Sequence, residues 1–239
     1  MMMHYTIRLT LLTVLICTLT YAQKGQNSNQ EQRQSFESWN GIVLTYKVHK
    51  KVDLSAEVQV RLKSVGETYK SFFVELQGEY QPFSFLDFGL GYRNFDKLDD
   101  VGKKQGHEKY DRLYGFLQTK TSLDRFDFGF RVMHQVKNQR NALDVPNDNT
   151  RWRYKLSTRY NIANWKLDPR VSVEFYILDE FYSTEAYDKV RFSLGSRQNI
   201  NDKSSLAFKY LYQSDVNVAN PRTYHILSLK YEFKLGPEN

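Results

Sequence analysis

Residues 54–63 read Leu54-Ser55-Ala56-Glu57-Val58-Gln59-Val60-Arg61-Leu62-Lys63. Every even position is apolar and every odd position is polar. Successive side chains of a strand point to opposite faces, so this stretch makes one strand with an apolar face and a charged face. Helical periodicity is absent from residue 23 onward.

The pattern spreads outward from there. Phe72, Val74, Leu76 and Tyr80 alternate with Glu75, Gln77 and Glu79. Leu86, Phe88, Leu90 and Tyr92 alternate with Asp87, Gly89, Gly91 and Arg93. Further on, Phe126, Phe128, Phe130 and Val132 alternate with Asp127, Gly129 and Arg131. The same rhythm runs through 151–162, 170–177, 205–213 and 227–234, and more weakly through 39–48, 110–120 and 188–199. The count is about eleven strands, most of them roughly 10–14 residues long. Globular strands average about 5–6 residues, whereas a tilted transmembrane strand needs about 9–11. The apolar faces carry no formal charge. A lipid-facing surface requires this, because Arg or Lys at mid-bilayer costs about 2–4 kcal/mol.

Composition agrees with that reading. The chain has 239 residues, 41% of them hydrophobic and 15% aromatic, with a net charge of +7. No stretch beyond residue 22 offers the roughly 20 apolar residues of a membrane helix. The aromatic content argues against disorder, and a single cysteine excludes a disulfide framework. Residues 1–22 read as a cleaved secretory signal peptide. Arg8 supplies its positive region, Leu9 to Leu19 its short apolar run, and Ala22 the small residue before Gln23. Cys17 lies inside that run after Ile16, so no lipid anchor is expected. Residues 23–37 form a polar arm, and 38–236 the strand-bearing body.

Short turns fall near 81–82, 122–123, 163–164 and 201–203, and longer polar loops near 96–108, 137–149, 181–187 and 215–222. Outer-membrane barrels have this asymmetry, with short periplasmic turns and long external loops. The last strand carries Tyr231-Glu232-Phe233, a terminal aromatic on the apolar face. The expected fold is all-β: an antiparallel transmembrane up-and-down β-barrel of 10–12 strands in the outer membrane of a Gram-negative bacterium. Bacterial single-chain barrels are even-numbered, so twelve is favoured, with residues 24–37 supplying an edge strand. Ten is the alternative, if one of the eleven does not span. A soluble periplasmic β-sandwich or lipocalin-like barrel has the same alternation with the apolar faces turned inward. Strand length, loop asymmetry and the signal peptide favour the membrane.

A resemblance adds to this. A Trp opens the first strand in Ser38-Trp39-Asn40-Gly41, a hairpin turn follows at His49-Lys50-Lys51, the second strand carries Val58-Gln59-Val60-Arg61, and the fourth reads Leu90-Gly91-Tyr92-Arg93. In that order these segments resemble an uncharacterised family of bacterial outer-membrane β-barrels, domain of unknown function 2490, over most of 38–235. The resemblance implies an outer-membrane barrel and supplies no catalytic residues.

The polar faces give the lumen-lining candidates Glu57, Arg61, Glu75, Glu79, Arg93, Arg112, Arg131, Arg153, Arg159, Glu174, Arg191 and Arg197. Charges taken partly out of water must pair or stay hydrated. They make either a structural Arg–Glu network that plugs the barrel or a narrow channel whose excess Arg favours small or anionic solutes. Arg61, Arg93, Arg131 and Arg159 stand on four separate strands and are the first to test. Trp39, Tyr80, Tyr92, Trp152, Trp165, Tyr212 and Phe233 lie near strand ends and are candidates for the interfacial aromatic girdles.

No catalytic motif is visible, so no enzyme is expected. Gly-x-Ser-x-Gly is absent, and His49, His107, His134 and His225 are scattered without metal-ligand spacing. No metal and no cofactor are expected. Loop acids Asp96, Asp99, Asp100, Asp144 and Asp148 read as solvated charge rather than a cation site. The positive balance is spread over many strands, so no nucleic-acid partner is expected. The expected partners are outer-membrane lipid and the barrel-assembly machinery, with a monomeric barrel. A surface-loop adhesin or binding module is the alternative function, and an outer-membrane hydrolase stands behind it.

Overall fold

The computed structural model describes residues 33–63, 68–99, 105–140, 149–179, 187–218 and 220–236. The expected signal peptide with Cys17, the expected arm up to residue 32, and Asp100, Asp144 and Asp148 lie outside them. Within them the chain forms eleven strands: β1 (Arg33–His49), β2 (Val52–Lys63), β3 (Thr68–Phe83), β4 (Leu86–Asp99), β5 (Gly106–Leu123), β6 (Phe126–Gln139), β7 (Asn149–Tyr160), β8 (Arg170–Leu178), β9 (Tyr187–Asn199), β10 (Ser204–Asp215) and β11 (Arg222–Leu235). Each pairs antiparallel with its sequence neighbours, and β1 closes on β11 to complete a barrel. Closure leaves no unpaired sheet edge among the described residues.

The seam corrects the favoured strand number. Eleven strands are present among the described residues, within the expected range but not the favoured twelve. An odd number closes only if the first and last strands run parallel. They do, from Arg33 opposite Arg222 to Tyr46 opposite Leu235. Residues 33–37, expected in a separate arm or strand, are the opening of β1.

Short connections gather at one end. They are Lys50-Lys51, Ser84-Phe85, Asp124-Arg125 and 200–203, and the nine-residue connection 161–169 shares that end. Asp124 takes a positive φ of 54°, which a short polar side chain tolerates in a tight hairpin. The other end, where β1 begins, carries the connections 64–67, 100–105, 140–148, 179–186 and 216–221, most of them longer. Stepping from partner to partner starts at Lys47, near the end of β1. It passes through Asp53, Glu79, Gly89, Phe116, Met133, Arg153, Tyr176 and Lys189 to Asp215, at the far end of β10. One circuit therefore climbs about a strand's length, and such stagger goes with strongly tilted strands.

The two faces are sorted inside out. Ile42, Leu76, Leu90, Leu113, Leu156, Leu194 and Leu227 are exposed on the outer face. Glu37, Gln59, Glu75, Gln135, Glu174 and Gln213 are buried inside. The lipocalin-like alternative required the reverse. Two glycines shape the interior of β4. A Cβ on Gly89 would fall inside the Phe116 ring, and one on Gly91 inside the Tyr114 ring. These β5 rings cover the glycine positions across the strand pair and pack with Met133 of β6.

Candidate functional site: a belt of guanidinium groups and aromatic rings in the lumen

Strand parity turns all twelve lumen candidates inward, and stagger decides which of them meet. Arg61 of β2 lies 3.8 Å over the Trp39 ring of β1, and Arg191 of β9 lies 5.3 Å from the same ring. β9 is three strands from β1 round the barrel, so this contact reaches across the interior. Arg61 also faces Phe73 of β3 at 5.1 Å, and Arg93 of β4 lies 3.8 Å from that ring. On the other side Arg191 and Arg153 of β7 lie 5.1 and 4.8 Å from the Tyr176 ring of β8. Arg112 of β5 and Lys137 of β6 complete the circuit against Phe95 and Tyr110. Cations within about 6 Å of a ring face are held by its quadrupole, more strongly where water is scarce.

Acids are few in this belt. Glu174 serves two cations, Arg153 at 2.7 Å and Arg191 at 3.5 Å, and accepts a hydrogen bond from the Tyr176 hydroxyl at 2.8 Å. Glu75 pairs with Arg93 at 2.6 Å, and Glu57 with Lys230 at 2.6 Å. Glu37 pairs with Lys70 and accepts the Trp39 indole N–H at 2.9 Å, which fixes the ring's tilt. Arg61 Nε donates to Gln59 Oε1 at 2.9 Å.

Other candidates stand away from the belt. Arg131 lies 4.4 Å over Phe116 and donates to Gln118 at 2.7 Å. Glu79 accepts from Gln77 at 3.4 Å. Arg159 with Asp127, and Arg197 with Glu232 at 2.7 Å, close the short-turn end. Of the four arginines singled out in the sequence, Arg61 and Arg93 therefore meet through Phe73, while Arg131 and Arg159 do not join them.

Trp39 is a correction. The sequence reading placed it in an interfacial girdle, but it is 8% exposed and faces inward, because it shares parity with Glu37 and Gly41. Tyr80, Tyr92, Trp152 and Trp165 are exposed on the outside. Tyr212 packs outward against His225, and Phe233 shares the outward parity of Tyr231. Sequence reasoning missed the inward rings Phe73, Tyr110 and Tyr176. Their parity with Glu75, Arg112 and Glu174 was the available signal.

His134 packs against Trp152 on the outside, and His225 against Phe36 and Tyr210. His107 contacts Asp96, which also accepts from Tyr69. His49 sits at the first hairpin turn.

Barrel and belt together define an up-and-down β-barrel with an apolar exterior and a cationic interior. The chain belongs to the family described as protein of unknown function (DUF2490), whose model matches residues 36–224. No curated protein matches the sequence.

Proposed function

We propose that the chain is a monomeric, non-enzymatic outer-membrane β-barrel of a Gram-negative bacterium, closed across its lumen, that acts as a membrane-anchored structural barrel rather than an open pore. One observation carries the closed-lumen reading: Trp39, buried and held between Arg61 and Arg191 from opposite sides of the interior. The membrane assignment is supported by the continuous apolar exterior, far larger than the few hundred Å² that soluble monomers leave exposed. Strands of 9–18 residues, long enough to cross when tilted, support it too.

Refolded protein in a planar bilayer tests the closed lumen. The expected trace is flat. Steady single-channel conductance would overturn the reading and favour the narrow channel, whose surplus of cations then predicts anion selectivity. Detergent-dependent solubility with heat-modifiable gel migration tests the membrane assignment separately. A folded protein soluble without detergent would remove it.

A further inference from the structure

Among the described residues, Arg112 of the belt has no carboxylate within ion-pair distance and a buried Nε without a hydrogen-bond partner. Its cross-strand partners, Cα to Cα, are Arg93 on β4 and Lys137 on β6, so three cations stand side by side on the inner wall. Like charges directly opposite one another destabilise a sheet. Arg93 has Glu75, and Arg153 has Glu174. The Arg112 guanidinium lies 5.3 Å from the Phe95 ring, and its main charged neighbours include Arg93, Arg153 and Arg61. A buried cation is tolerated only when paired and hydrogen-bonded.

We infer that Arg112, flanked by Arg93 and Lys137, holds a small inorganic anion inside the barrel. Such an anion, a chloride or a sulfate- or phosphate-sized oxyanion, supplies the missing negative charge. A planar guanidinium offers oxyanions a two-pronged donor, and the Lys ammonium adds a point charge. The inference stands on the inner wall alone and does not depend on whether the barrel conducts or sits in a membrane.

The test compares thermal unfolding of the refolded full chain in sodium gluconate, chloride, sulfate and phosphate at equal ionic strength. Chloride or an oxyanion is expected to raise the unfolding midpoint by a few degrees over gluconate, growing with the logarithm of its concentration. Arg112→Gln is expected to remove that shift, and Arg159→Gln, at the short-turn end, to keep it. Equal midpoints in all four salts would overturn the inference, as would a full shift in Arg112→Gln or its loss in Arg159→Gln. If Arg112→Gln does not fold, Arg112→Lys replaces it. That change keeps the charge but not the fork, and is expected to raise the half-saturating oxyanion concentration; an unchanged value overturns the inference.

Discussion

Tyr114 of β5 lies over Gly91 of β4, filling the space that any larger residue at 91 would need, and its hydroxyl donates to Gln77 of β3 at 2.8 Å. One ring thus ties three strands together through a missing side chain. Gly91→Ala is expected to displace it and to cost about 1–3 kcal/mol, the usual range for overpacking. Pairing the change with Tyr114→Ser should recover part of that loss in a double-mutant cycle measured by denaturant unfolding in micelles. Additive losses would mean that ring and glycine do not compete for the same space.

Glu174 is buried between two arginines, with Lys155 and Arg191 as its cross-strand neighbours. Glu174→Gln leaves Arg153 and Arg191 facing each other without a carboxylate. The expected cost is about 3–5 kcal/mol, as for breaking a buried pair from one side. Glu108→Gln provides the contrast. Its partner Lys97 is 42% exposed, and the loss there should stay within about 1 kcal/mol. Urea unfolding of both variants checks the difference.

Trp39→Ala removes the ring between Arg61 and Arg191. It is expected to convert a silent barrel into one with measurable conductance, with anions passing more readily than cations. Reversal potentials across a salt gradient read the selectivity. A variant that folds and stays silent would mean that the remaining rings close the lumen without Trp39.

Leu113 is 62% exposed on the outer face, near the middle of β5. In a bilayer, Leu113→Arg is expected to cost about 2–4 kcal/mol at the midplane. Folding yield into lipid vesicles should fall accordingly, whereas Lys109→Arg, near the long-loop end, should leave it unchanged. Equal yields would argue against lipid on this face.

Strand positions were legible because Leu, Val and Phe repeat every second residue from Leu54 to Phe233, and closure needs little more than that. The seam was not legible. Whether the first strand pairs with a twelfth strand or directly with the last depends on contacts between residues about 190 apart, and a general rule of even numbers pointed the wrong way. In the lumen, parity placed Arg61 and Arg93 on the inner wall, but their shared contact with Phe73 follows from stagger, which alternation does not encode. Trp39 has the residue type of an interfacial girdle but the parity of the inner wall, and parity decides its place. Phe73 and Tyr176 likewise stand on charged faces, as the partners of the charges beside them.

The parallel seam fixes the two ends of the barrel wall in space. β1 starts among the long connections and β11 stops among the short turns, so the wall begins on one side and finishes on the other. In a membrane that makes the fold a one-way thread: the first residue of the wall, Arg33, and its last, Leu235, stand toward different compartments. Single cysteines placed at the exposed positions Gln34 and Lys234 should accordingly answer to thiol reagents applied from opposite sides.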